Sequence, residues 1–172
     1  MAALLRAVNV GGRKLPMEEL RALCGELGWK DVATYIQSGN VVFKAAGTPA
    51  ALEARLEEAI VGEFGLEVPV IVRTAGQWAA YPPANPFPEE PSNRVMLLLA
   101  KASPAEDAEE RIQARAVAGE RVRRVGDALW FHYPAGAGTS KLTPSLIERA
   151  VGSPGTARNY NTVIKLEKMV EA

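Results

Sequence analysis

The spacing of apolar residues changes period in a regular order along the chain. Residues 3–8 are a short apolar run whose alternation predicts a strand, with Leu4, Arg6 and Val8 on one face and Leu5, Ala7 and Asn9 on the other. After the pair Gly11 and Gly12, the positions Met17, Leu20, Leu23, Cys24 and Leu27 fall on one helical face. They predict a helix from Pro16 to about Leu27, stopped by Gly28. "VATYIQ" and "NVVF" are two β-rich runs separated by Ser38 and Gly39, a two-residue spacing that predicts a tight hairpin. Thr48 and Pro49 read as the N-cap and first position of a second helix, "AALEARLEEAIVGEF", which leads to the strand "EVPVIVR". The order is β-α-β-β-α-β, that of a ferredoxin-like unit.

The same grammar returns after the proline-dense stretch "YPPANPFPEEPSN". A strand "RVMLLLA" precedes a helix opened by Ser103, Pro104 and Glu106, and then comes a hairpin "RVRRV-GD-ALWFHY". Pro16 and Pro104, like Gly39 and Gly126, occupy matching places in the two halves, which points to an internal duplication. The expected fold class is therefore α+β, with two ferredoxin-like (βαββαβ-type) subdomains over residues 1–75 and 94–172. Residues 76–93 form a Pro-rich connection, read as a stiff strap anchored by Trp78, Tyr81 and Phe87. Beyond its hairpin the second half departs from the first, with a Gly-rich loop "PAGAGTSKL", a short helix over 144–151 and a last helix over about 158–170. No eighth strand is evident.

Composition limits what the chain does. Hydrophobic residues make up 48% and charged residues 23% of the 172 positions, an ordinary globular balance, and 20 cations cancel 20 anions. There is no general field for nucleic acid or an anionic membrane, so an anion site has to be local. The lone Cys24, on the apolar face of its helix, reads as a buried thiol. Arg6 interrupts the apolar N-terminus too early for a signal segment, and no uncharged run approaches membrane-spanning length. A cytoplasmic location without membrane association is the expectation.

Candidate chemistry concentrates in a few loops. In "RAVNVGGRK", Arg6 is costly to bury unless it is paired or faces a wet cleft. Gly11 and Gly12 permit left-handed backbone and close approach, and the helix opening at Pro16 lacks an evident side-chain cap behind Arg13 and Lys14. Those are the means of holding an anion, although a strand-to-helix turn with solvated cations is the plainer reading, and Glu18 and Glu19 compete for the same helix end. Gln37, Ser38 and Asn40 offer amides and a hydroxyl at one hairpin tip, and Ser140 with Lys141 forms a second small anion-suited loop. Thr156 reads as the N-cap of the last helix, with Arg158 and Asn159 in or beside its first turn, where the helix dipole opposes a cation. His132, the only histidine, lies in a strand, which argues against a histidine-based hydrolytic triad. No metal-ligand spacing is present and no cofactor is implied. "RVRR", Arg121 to Arg124, lies beside Trp130, Phe131 and Tyr133 and raises an RNA-binding reading, but the RNP1 pattern is absent and the net charge is zero.

In this order, "LLRAVNVGGRK", "TYIQSGNVVF", "GTSKL" and "TARNYNTVIKL" resemble the DUF1697 family of uncharacterised bacterial proteins over nearly the whole length. The resemblance implies two ferredoxin-like subdomains and no established activity. The family pattern includes positions matched here by Arg6, Asn9, Gly11, Gly12, Lys14, the "QSGN" tip, Arg158 and Asn159; Tyr160 stands where tryptophan is common. The leading expectation is a cleft between the subdomains that binds a small anionic or nucleotide-like ligand. Arg6, Lys14 and Arg158 would meet the charge, and Asn9, Gln37, Ser38, Asn40 and Asn159 would orient the rest. The alternatives are a protein-interaction or scaffold module without a ligand, and a nucleic-acid binder using the basic aromatic strand. No catalytic residue is assigned, and whether the protein is an enzyme is left open.

Overall fold

The computed structural model describes residues 1–171 and divides the chain into two units, the first holding Met1–Ala80 and the chain from Lys165 onward, the second Tyr81–Ile164. In the first unit, β1 (Ala2–Leu5), α1 (Met17–Glu26), β2 (Lys30–Tyr35), β3 (Asn40–Lys44), α2 (Pro49–Phe64) and β4 (Val70–Arg73) follow one another, ahead of the short α3 (Ala75–Ala79). The four strands form one antiparallel sheet in the order β2-β3-β1-β4, with Ala3 opposite Val41 and Leu4 opposite both Asn40 and Ile71. Leu20, Leu23 and Cys24 of α1 and Leu52, Leu56 and Ile60 of α2 pack with Ala3, Leu5, Val41, Phe43, Val70 and Val72 in one apolar core. Stacking of Trp29 on Phe43, with ring centroids 4.0 Å apart, extends it. Cys24 is a buried thiol, as its helical spacing predicts, and burial pushes its pKa up to about 12.

The second unit contains β5 (Val95–Ala100), α4 (Ala108–Gln113), β6 (Arg121–Val125), β7 (Ala128–His132), α5 (Pro144–Val151) and β8 (Gly155–Asn159). Its sheet is antiparallel in the order β6-β7-β5-β8, the first sheet's order with each strand number raised by four. Ala108 and Ile112 of α4 and Ile147, Ala150 and Val151 of α5 close over Leu98, Val122, Leu129 and Phe131. The last helix, α6 (Tyr160–Glu171), is where the division between the units falls. In the proline-dense stretch, Tyr81 and Phe87 are buried and the Phe87 ring lies under the Arg121 guanidinium, 4.7 Å from it.

Several local expectations are corrected. The first strand ends at Leu5, so the alternation does not extend to Arg6; that side chain is half-buried and its backbone N–H donates to the Pro69 carbonyl. The first hairpin turns over four residues, 36–39, rather than two, because Ile36 leaves the ladder in left-handed conformation (φ 52°). The second hairpin does turn on Gly126 and Asp127, with Val125 opposite Ala128. Ser103 and Pro104 do not open α4, which starts only at Ala108. An eighth strand exists: Gly155–Asn159 pairs along β5, with Arg158 opposite Leu97. Thr156 consequently lies inside a strand, and the oxygen that caps α6 belongs to Asn159, whose Oδ1 accepts from the Thr162 N–H at 3.0 Å.

Candidate functional site

Between β1 and α1 the backbone is left-handed at four of six consecutive positions: Ala7 (φ 56°), Asn9 (57°), Gly11 (57°) and Gly12 (83°). Glycine takes this conformation freely, whereas Ala7 and Asn9 carry a cost of about 1 to 2 kcal/mol each. The conformation is held by Asn9. Its Nδ2 donates to the Leu15 carbonyl at 3.0 Å and to the Gln37 carbonyl at 2.6 Å, and its Oδ1 accepts from the Leu15 N–H at 2.9 Å. Backbone bonds from Asn9 N–H to the Arg13 carbonyl and from Arg13 N–H to the Val10 carbonyl close the loop on itself. One side chain thus ties the loop after β1 to the turn between β2 and β3.

That turn is fixed as firmly. Gly39 (φ 86°) accepts through its carbonyl from the Leu5 N–H, and a Cβ at this position would lie 2.7 Å from Val8 Cγ2 and 2.9 Å from Leu5 Cβ. Asn40 is fully buried and donates to the Tyr35 carbonyl and the Ser38 hydroxyl, both at 3.0 Å. Its amide fastens the hairpin from inside, while Gln37 is exposed and Ser38 half-buried at the tip. Arg13 donates to the Glu67 carbonyl, and Lys14, Gly11 and Gly12 are exposed. α1 starts behind Pro16 with no side-chain cap.

The remaining candidates lie in the second unit. Ser140 donates through Oγ to Glu120 Oε2 at 2.6 Å and accepts from the Leu142 N–H at 3.1 Å, while Glu120 Oε1 accepts from the Ala118 N–H. Glu120 is buried, and the Ser140 hydroxyl, followed by nearby backbone N–H groups, holds its carboxyl below the usual glutamate range. Nothing in the sequence pairs these residues, twenty positions apart across a hairpin. Lys141, next along, is exposed. Arg158 is buried in β8, where Nη1 donates to Thr156 Oγ1 at 2.8 Å and to the Ala157 carbonyl at 3.0 Å. Desolvation lowers its pKa to about 10, leaving it charged at neutral pH. Asn159 is occupied in capping α6.

Within the first unit the structure joins the loop carrying Arg6, Asn9, Gly11, Gly12 and Lys14 to the turn carrying Gln37, Ser38 and Asn40. Within the second, Ser140 and Lys141 are in one loop and Arg158 and Asn159 are on β8. The basic strand fares differently: Arg121 pairs with Glu90 at 2.9 Å, and Arg124 donates to the Gly126 and Ala105 carbonyls. Trp130, Phe131 and Tyr133 are buried, which leaves those rings no open face on which a base would stack. Among the described residues no group of His, Cys, Asp and Glu is placed to hold a metal ion, and no helix is long and apolar enough to cross a membrane.

A family model described as "Protein of unknown function (DUF1697)" matches residues 1–130. The chain belongs to the DUF1697 family. The match takes in the whole loop held by Asn9 and the first hairpin, and ends inside β7, the second strand of the other hairpin. A solved structure of similar fold is that of the conserved bacterial protein SP0830 from Streptococcus pneumoniae, 22% identical, with a TM-score of 0.74 over 98% of this chain and 97% of that one. At that identity the likeness concerns the fold. No curated protein matches the chain.

Proposed function

We propose that this DUF1697 protein binds a small anionic or nucleotide-like ligand, and that the loop from Arg6 to Lys14 in the first unit is its main contact. The observation that carries the reading is the left-handed backbone at Ala7, Asn9, Gly11 and Gly12 in a loop that is largely exposed. Strain of this kind persists only where surrounding bonds enforce it, and it tends to accumulate where a ligand is held. Left-handed residues in a loop turn neighbouring N–H groups toward one side, a geometry that suits an anion. The exposed Lys14, with Arg6 at the loop's start, supplies positive charge, and the exposed Gln37 and half-buried Ser38 are available to orient the rest of a ligand. Ser140, Lys141, Arg158 and Asn159 are candidate contacts of the second unit. The internal hydrogen bonds of Asn40, Arg158 and Asn159 favour supporting roles for those three.

The matching strand orders support a companion proposal, that the chain is a duplicated ferredoxin-like unit. A scaffold role without a ligand remains the alternative reading of the same loops. Calorimetric titration with inorganic phosphate, sulfate, nucleotides and sugar phosphates separates them. The ligand reading expects saturable binding that weakens at least about tenfold, or about 1.4 kcal/mol, in Lys14→Ala with the melting temperature unchanged. A flat titration across the panel, with Lys14→Ala indistinguishable from wild type, would leave the scaffold reading standing.

A further inference from the structure

We propose that the second unit carries a separate site, in the groove between α4 and α5, for a compact anion bearing two or more phosphates. The groove is open to solvent and has a volume of about 560 Å³, and Arg111, Arg115, Lys141 and Arg149 line it. Sites for small molecules typically have volumes of roughly 300 to 1,000 Å³. In a chain whose cations and anions cancel, four cations share one concavity and no carboxylate lies in its wall. Their mutual repulsion is relieved when an anion enters.

The protein itself does little to neutralise them. Arg111 comes within 4.0 Å of Asp107, but both side chains are more than half exposed, so the pair is screened and weak. Among the described residues the Arg149 side chain reaches only the Ser145 hydroxyl, at 3.5 Å. Arg115 and Lys141 make no side-chain hydrogen bond or ion pair among the described residues. Helix dipoles account for part of the pattern, since Arg111 and Arg149 lie in the last turns of α4 and α5 and are stabilised there. They do not account for Lys141, which stands just ahead of the α5 N-terminus, where a cation is disfavoured.

The walls also define the ligand class. Apart from the cations they offer Ala114, Leu146 and Ala150, with Thr143 as the one hydroxyl. Thr143 Oγ1 accepts from the Leu146 N–H at 3.2 Å, which leaves its own proton free to donate to a phosphate oxygen. The lining contains no aromatic ring for a base to stack on and no side-chain amide to read its edge. Recognition therefore acts on charge, with guanidinium groups that match phosphate oxygens in pairs. Pyrophosphate, tripolyphosphate and bisphosphorylated sugars share that chemistry.

This site shares Lys141 with the candidate contacts named above but uses none of the Arg6 to Lys14 loop, so Arg115 and Lys14 tell the two proposals apart. The test is calorimetric titration of the full chain with tripolyphosphate, pyrophosphate and orthophosphate at about 50 mM salt, where screening is modest. The expected order is tripolyphosphate over pyrophosphate over orthophosphate. Arg115→Gln with Lys141→Gln should weaken tripolyphosphate at least about tenfold without moving the melting temperature, and Lys14→Ala should leave it unchanged. Absence of heat with tripolyphosphate, or undiminished binding in the double variant, overturns the proposal. Loss in Lys14→Ala alone moves the anion to the β1–α1 loop and also overturns it. An oligothymidylate that binds more tightly than tripolyphosphate, and is lost in the double variant, makes the groove a nucleic-acid track and rejects the compact anion.

Discussion

Gly39 and Gly11 both have positive φ, yet they differ in what surrounds them. A methyl group at Gly39 would collide with Val8 and Leu5 under the hairpin, whereas nothing lies within 4 Å of one at Gly11. Gly39→Ala is expected to cost roughly 2 to 4 kcal/mol, combining overpacking with left-handed strain, and Gly11→Ala only the strain, about 1 to 2 kcal/mol. Urea unfolding of the two variants measures the difference, and equal losses would contradict the packing account. Glu120 yields a prediction in pH. Its folded pKa lies below the ordinary value, so its contribution to stability is complete above about pH 4.3 and is lost as pH falls through the lower folded value. Glu120→Gln should be clearly less stable than wild type at pH 7, and the gap should narrow in acid; a gap that widens below pH 4 would reverse the assignment. Ser140, a candidate ligand contact by sequence, thus has a structural task that its position alone does not disclose. Arg158 shows the same limit, because whether a cation lies at a helix start or inside a sheet depends on a pairing that sequence spacing does not contain.

At the scale of elements, the Thr48 cap is read directly from the sequence, and the structure adds an equivalent one at Thr143. Thr48 before Pro49 and Thr143 before Pro144 cap α2 and α5, with Oγ1 accepting from the N–H three residues on, at 3.2 Å in each case. Thr48→Ala and Thr143→Ala should each cost about 1 kcal/mol, and the serine replacements only a few tenths. Thermal unfolding checks both, and a serine variant as unstable as the alanine one would shift the cause from the cap to packing of the threonine methyl. Where the structure departs from the sequence pattern, either a long-range pairing or a different local turn is responsible. β8 escaped because "GTARN" has few β-formers and becomes a strand by pairing with β5. The start of α4 slipped because Ser103 and Pro104 look like a cap, while the chain makes a turn from Ala105 to Ala108 before the helix begins.

For the whole molecule, each sheet has its own two central strands, β1 and β3 in one, β5 and β7 in the other. Amide hydrogen exchange should find the slowest protons in those four strands, with β2, β4, β6 and β8 exchanging sooner at the sheet edges. Protection confined to one sheet would contradict two separately built cores. The first unit's order of elements, the Thr48 cap and the buried thiol were legible in the sequence, because they follow from periodicity and from the backbone preferences of Gly, Pro and Thr, which act over a few residues. The tertiary structure alone decided which polar groups find partners: Asn9 with the Gln37 carbonyl, Ser140 with Glu120, Arg121 with Glu90. It also gathered Arg111, Arg115, Lys141 and Arg149 around one groove. Those residues are brought together by strand pairing and helix packing, and an unaligned sequence records neither.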